Sequence, residues 1–353
     1  MAKSKKPKLL LRLDHGLYFI ALGLLAVFVG VVVILTHADR QDQVGKSGST
    51  ATAEQSLYKS LDIRDLRKVS YTSSQVTKVQ DLGVSANAHQ YIFKFAVPHD
   101  NLTEKGLMTL PVTAEPAGGY PVVILCHGYS NPWSYSTTKA YLSDMEFYSQ
   151  HGFAVLKPDF RGQGLSIPDG QPEGAFYSSA YNTDVLSLVA AVKNTVYLNK
   201  ADINMWGHSM GAYIALRAAV ISPDIKNVIL LSGPVGYPAD MFRSYIAISD
   251  TSNPTAANIR LDQLDKHGTP LSNPGFWDNT APINFVAGTK AHIQIHVGTA
   301  DRTVPPHFSA DLDQALTKAG EVHQYFIYQG GNHGLGQQRT QIYQRSLQLL
   351  QGS

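Results

Sequence analysis

The stretch INMWGHSMGAY, residues 203–213, decides the fold. An apolar run ends at Gly207, and Ser209 then stands midway between Gly207 and Gly211. A Gly-x-Ser-x-Gly sequence of this kind suits a sharp turn from a strand into a helix, which holds the serine in a strained conformation with its hydroxyl exposed. Side chains two residues to either side would collide at such a turn, so glycine is the residue that fits. The pattern is short, and a chain with 29 glycines can contain it by chance. Its meaning therefore depends on what surrounds it.

Around it, short β-rich runs alternate with helical periodicity. Runs at 74–81, 90–97 and 107–111 precede PVVILC at 121–126, a continuous apolar run of the kind buried in a parallel sheet. A helical pattern at 138–151, a strand at 154–158 and a helix at 184–196 follow. Strand 203–206 then leads through the Ser209 turn into a helix rich in Ala212, Ala215, Ala218 and Ala219. Strands at 228–231, 293–297 and 323–328 and helices at 306–319 and 340–350 complete the order. Such alternation implies an α/β fold with a mostly parallel sheet and helices on both faces. One segment, 233–290, separates two strands by far more than an ordinary connection. It carries Tyr237, Met241, Phe242, Tyr245, Ile246, Phe276 and Trp277. Most of these residues are expected to pack the insertion onto the body, but an apolar insertion over strand ends is also where a lid sits.

The chain has 353 residues, 44% of them hydrophobic and 16% charged, which suits a globular body with a sizeable core. Its net charge is +2, yet Lys3, Lys5, Lys6, Lys8 and Arg12 crowd the first residues with Asp14 as the single acid. The remainder is therefore slightly acidic, and a nucleic-acid partner is excluded. Residues 16–36 contain no Asp, Glu, Lys, Arg or His and are long enough to span a bilayer as a helix. With the basic flank before it, this run predicts a cytoplasmic tail at 1–15 and a transmembrane signal-anchor at 16–37. A polar tether at 38–65 and an extracytoplasmic α/β domain at 66–353 follow, with the lid-like insertion at about 234–290. A cleaved signal peptide is the competing reading. Cys126 is the single cysteine, so no internal disulfide is possible. The stretch VGKSGST lacks the first glycine of a phosphate loop, because Arg40 stands there.

A serine hydroxyl needs an imidazole to take its proton, and the imidazole needs a carboxylate to fix its tautomer. The developing oxyanion needs preorganised N–H donors. Of 13 histidines, His333 lies in the glycine-rich turn QGGNHGLG directly after a strand, where a catalytic side chain belongs in an open α/β sheet. His208 adjoins Ser209 but is expected to point to the other side of the turn. His292, His296, His307 and His323 read as structural. Asp301, in HVGTADRTVP, also follows a strand, and is preferred to Asp278 in the insertion and Asp311 on a helix. The order Ser209, Asp301, His333 is that of an α/β-hydrolase. Met210 N–H is the first oxyanion donor, and Tyr129 N–H, in LCHGYSNPW, is the candidate second.

The motifs HGYSNP at 127–132, DFRGQG at 159–164, GHSMG at 207–211, ADRTVP at 300–305 and GNHG at 331–334 together resemble the α/β-hydrolase superfamily from about Gln90 onward. Within it the chain is most similar to the catalytic domain of prolyl-oligopeptidase-type enzymes and to acyl and cinnamoyl esterases. The resemblance implies Ser209 as nucleophile, Asp301 as acid, His333 as base and Tyr129 and Met210 as oxyanion donors. It also implies a bracing role for Asp159 and Arg161. The stretch before Gln90 is short for the propeller domain such peptidases usually carry, and GHSMG is also common among esterases. The resulting expectation is a membrane-anchored serine hydrolase of carboxylic esters that needs no cofactor or metal. A serine peptidase of short peptides is the second reading, and an inactive fold used for binding is the third.

Overall fold

The computed structural model describes residues 57–168, 170–245 and 253–352. The expected tail and anchor, and the tether as far as residue 56, lie outside the described residues, as does Ile246 of the insertion. Among the described residues no helix is long and apolar enough to cross a membrane.

The chain is built from α1 (Ile63–Leu66), β1 (Thr77–Ser85), β2 (Ala88–Val97), β3 (Leu102–Pro111), β4 (Tyr120–Cys126), α2 (Leu142–Gln150), β5 (Ala154–Pro158), α3 (Ala180–Lys193), β6 (Leu198–His208), α4 (Met210–Ile221) and β7 (Ile225–Leu231). The insertion holds α5 (Pro238–Tyr245), α6 (Pro254–His267) and α7 (Pro274–Trp277). The chain then returns through β8 (His292–Gly298), α8 (His307–Ala319), β9 (His323–Tyr328) and α9 (Arg339–Gly352). The nine strands form one sheet in the order β1-β2-β3-β5-β4-β6-β7-β8-β9. From β5 to β9 every pairing is parallel, and β1, β2 and β3 add an antiparallel edge.

The PVVILC run is apolar throughout because both faces of β4 are covered. Alternate residues of a strand point to opposite faces. Val122, Ile124 and Cys126 pack in a cluster with α3, α4 and α8, whereas Val123 and Leu125 pack with Met145 and Tyr148 of α2 and Ile342 and Leu350 of α9.

Several strands run longer than the sequence reading, β3 beginning at Leu102 and β6 at Leu198, and three further differences have a visible physical reason. Helix α2 starts at Leu142, not at 138, because Tyr141 adopts a left-handed conformation, φ 58°, that ends the preceding loop. Helix α3 starts at Ala180, not at 184, and its polar first turn is buried. There Asn182 Nδ2 donates to the Ile214 carbonyl at 3.0 Å, and Asp184 receives Arg161. The residues 57–65 of the expected tether form a packed strap. Tyr58, Leu61 and Ile63 are buried, and Arg217 of α4 donates to the Leu61 carbonyl at 2.7 Å.

Candidate active site

Ser209 sits between β6 and α4 with φ 55° and ψ −123°, a conformation that L-residues rarely adopt. Its N–H donates to the Leu231 carbonyl at 2.9 Å, which ties the turn to the neighbouring strand. The flanking glycines are needed for close approach. A Cβ at Gly207 would collide with the backbone of Gly211, and one at Gly211 would collide with the Cys126 carbonyl at the end of β4. The turn is therefore wedged between its own helix and the adjacent strand.

The structure brings Asp301, His333 and Ser209 into one hydrogen-bonded line. His333 Nε2 lies 3.0 Å from Ser209 Oγ, and His333 Nδ1 lies 2.8 Å from Asp301 Oδ2. Nδ1–H donates to the carboxylate, which leaves Nε2 as the acceptor for the serine hydroxyl. The other oxygen, Asp301 Oδ1, accepts N–H groups of Thr303 at 2.8 Å and Val304 at 2.9 Å. Burial opposes ionisation of this carboxyl, but the His333 bond and the two amides outweigh it and hold its pKa below the ordinary carboxylate value. The loops carrying acid and base are tied directly, since Ala300 N–H donates to the Gly331 carbonyl at 2.9 Å and Thr299 N–H to the Tyr328 carbonyl at 3.0 Å.

Met210 opens α4, so its N–H belongs to the first turn, whose amides have no intrahelical partner. The loop after β4 runs beside the serine turn, and the Cβ position of Gly128 is 3.3 Å from the His208 carbonyl. Gly128 N–H donates to Tyr141 Oη at 3.0 Å and the Gly128 carbonyl accepts from His127 Nδ1 at 2.8 Å, so the backbone leading into Tyr129 is held on both sides of Gly128. The loop is staked from below. Lys157 Nζ donates to Tyr135 Oη at 2.7 Å and to the Thr137 carbonyl at 2.8 Å, and Thr137 Oγ1 donates to Asp159 at 2.5 Å. Arg161 meets Asp184 and Asp100. Both motif residues, Asp159 and Arg161, thus brace loops.

The alternatives fall elsewhere. His296 is buried between Tyr328 Oη and Gln294, and His323 pairs with Asp313 at 3.0 Å. Asp278 opens a short turn in the insertion, and Asp311 lies on α8. His208 departs from its expectation. Its ring centroid is 4.9 Å from that of His333, its Nε2 is 3.0 Å from the His333 carbonyl oxygen, and its Nδ1 is 2.8 Å from Tyr141 Oη. Nothing local marked Tyr141; the glycine at 128, whose position no side chain fits, was the available signal. In the insertion, Trp277 donates to the Gly268 carbonyl at 2.9 Å and packs edge-on against Tyr177, and Phe242 is buried, whereas Tyr237 is exposed. Among the described residues no group of His, Cys, Asp and Glu is placed to hold a metal ion.

Comparison with solved structures finds the same fold in other proteins. It is 18% identical to the acetyl xylan esterase of Paenibacillus sp. R4, covering 86% of this chain and 98% of that one with a TM-score of 0.57. It is 15% identical to dipeptidyl peptidase 4 of Porphyromonas gingivalis (79% of this chain, TM-score 0.54) and spans 44% of that protein's length. It is 18% identical to the acylaminoacyl peptidase of Pyrococcus horikoshii (74% of this chain, TM-score 0.56) and spans 41% of its length. At these identities the likeness is one of fold. Residues 123–342, from the centre of β4 into α9, match the alpha/beta hydrolase family, and the chain belongs to that family.

Proposed function

We propose that this protein is a serine hydrolase that cleaves a carboxylic ester through an acyl-enzyme on Ser209. The observation that carries the reading is the hydrogen-bonded line from Asp301 through His333 to a serine held on a strained turn. His333 Nε2 takes the Ser209 proton as Oγ attacks the carbonyl carbon, and the N–H groups of Met210 and Tyr129 receive the oxyanion. Collapse of the tetrahedral adduct breaks the bond to the alkoxy group, which leaves with the proton from Nε2. Water then repeats the sequence, giving its proton to Nε2, releasing the acid and restoring Ser209. Asp301 stays ionised throughout and stabilises the imidazolium. A short-peptide amide is the second substrate class, supported by the fold likeness to two peptidases; the near full-length match to an esterase supports the ester.

The apolar run at 16–36 and its basic flank support an N-terminal membrane anchor with the hydrolase body outside the cytoplasm. Extraction by alkaline carbonate would release the chain if that part of the reading is wrong.

The deciding experiment is turnover by the full chain in detergent, with Ser209→Ala as the blank, across short-chain and aromatic acyl esters and aminoacyl and prolyl amides. Ester turnover lost in Ser209→Ala supports the proposal, and turnover retained in that variant sinks it. Efficient amide cleavage would promote the peptidase reading.

A further inference from the structure

We propose that His208 and Tyr141 are positioning residues that join the oxyanion loop to the His333 loop through a directed relay of hydrogen bonds. The relay rests on the serine hydrolase reading and adds to it residues that touch no reacting atom.

Its direction is forced from both ends. The His333 carbonyl oxygen can only accept, so His208 Nε2 carries the proton and donates across 3.0 Å. In a neutral imidazole Nδ1 is then an acceptor, and the hydroxyl of Tyr141, 2.8 Å away, donates to it. With its hydrogen so used, Tyr141 Oη presents a lone pair to Gly128 N–H at 3.0 Å. The amide can only donate, so every bond is consistent with the next. Burial outweighs the bond to the His333 carbonyl and lowers the His208 pKa to about 4, in keeping with the neutral ring that the bond geometry requires.

The two ends are the parts that must be held in register for acyl transfer. At one end the peptide plane between His127 and Gly128 is fixed, directly ahead of the plane that carries the Tyr129 amide, which His127 Nδ1 holds by donating to the Gly128 carbonyl at 2.8 Å. At the other the backbone of His333 is fixed at the residue whose ring faces Ser209. The two loops follow different strands, β4 and β9, that are not neighbours in the sheet. The Gly128 Cβ position lies 3.1 Å from His208 Nδ1 and 2.8 Å from Tyr141 Oη, so any side chain there would displace the relay. Tyr141 is itself held edge-on against Trp206, with ring centroids 5.8 Å apart. Arg339 donates to the Gly334 carbonyl at 3.1 Å, a second hold on the His333 loop, so loss of the relay is expected to cost rate rather than the fold.

The test measures kcat and KM for an ester and the rate at which a fluorophosphonate labels Ser209, in the full chain and in His208→Leu, His208→Gln, Tyr141→Phe and the Leu/Phe double variant. A glutamine amide can donate from nearly the place of Nε2; leucine cannot. His208→Leu and Tyr141→Phe are each expected to lower kcat and the labelling rate on the order of tenfold to a hundredfold, with KM nearly unchanged. His208→Gln is expected to recover most of that loss. The double variant is expected to lose little more than either single one, since a relay is broken once. Rates within about twofold of the parent in the single variants, or His208→Gln as slow as His208→Leu, would overturn the relay. Should His208→Leu fail to fold, Tyr141→Phe, which removes one oxygen atom, decides on the same thresholds. Failure of the hydrolase reading is separate and visible first, because the parent chain would then neither label nor turn over.

Discussion

Lys157 Nζ on β5 and the Thr137 carbonyl oxygen are 2.8 Å apart in the protein interior, and this bond pins the middle of the loop that carries the candidate oxyanion amide. The same ammonium reaches Tyr135 Oη, and burial lowers its pKa to about 8. Replacing Lys157 by Met would leave the Thr137 carbonyl and the Asp159 carboxylate without their cation. Breaking a buried charged pair from one side costs about 3 kcal/mol or more. The Lys157→Met variant is expected to show that loss as a lower urea midpoint with an unchanged m-value.

Asp301→Asn should keep the geometry but remove the preference for the His333 tautomer with its proton on Nδ1. By the general behaviour of such triads kcat falls about 10⁴-fold while KM changes little. Steady-state kinetics on one ester checks this, and a kcat close to that of the parent would show that Asp301 is not the acid.

Gly211→Ala tests the wedge beneath Ser209. In an ordinary helix alanine is the more favourable residue by about 1 kcal/mol. Here the new methyl meets the Cys126 carbonyl, a backbone atom that cannot rotate away. The variant is expected to be destabilised by about 1–3 kcal/mol and to lose most of its turnover. A stabilised variant would mean that β4 and α4 can separate.

The acid limb of the stability profile follows from buried neutral histidines. Burial, their largest influence, lowers His127 and His296 to about 3 and His208 to about 4, against an ordinary value of 6.5. In the window between these values the unfolded chain binds protons that the folded one does not, so stability rises with pH there. It is complete above pH 6.5 and is lost as pH falls towards 4, by about 1.4 kcal/mol per pH unit for each histidine. Denaturant titrations across that range should show the slope, and His296→Gln should reduce the proton uptake at pH 5 by about one.

The strands were legible because their chemistry is local. PVVILC announces a strand covered on two faces, and Ser209, Asp301 and His333 each stand just beyond the end of a strand. What the sequence concealed depends on partners far along the chain. Asn182 and Asp184 look unfavourable for a buried first turn until Ile214 and Arg161 supply their bonds. Residues 57–65 read as a polar tether, with Lys59, Ser60, Asp62, Arg64 and Asp65 among them, because the apolar set Tyr58, Leu61 and Ile63 is too short to show a period. The side to which His208 turns is hidden in the sequence because Tyr141, whose hydroxyl donates to its Nδ1, lies in a loop with no periodicity to mark it.

The strap alters where this protein can be cut. Ser179 Oγ donates to the Tyr58 carbonyl, Tyr58 Oη donates to Asp100 at 2.7 Å, and Arg67 Nε donates to the Val220 carbonyl at 2.8 Å. Residues ahead of the first strand thus close the helical flank of the sheet. A soluble fragment begun at residue 66 would uncover Ile63's neighbours in the core and present the Arg217 guanidinium with an empty place where the Leu61 carbonyl had been. Proteolytic trimming from the N-terminal side would leave the strap intact only if the cleavage fell upstream of Tyr58.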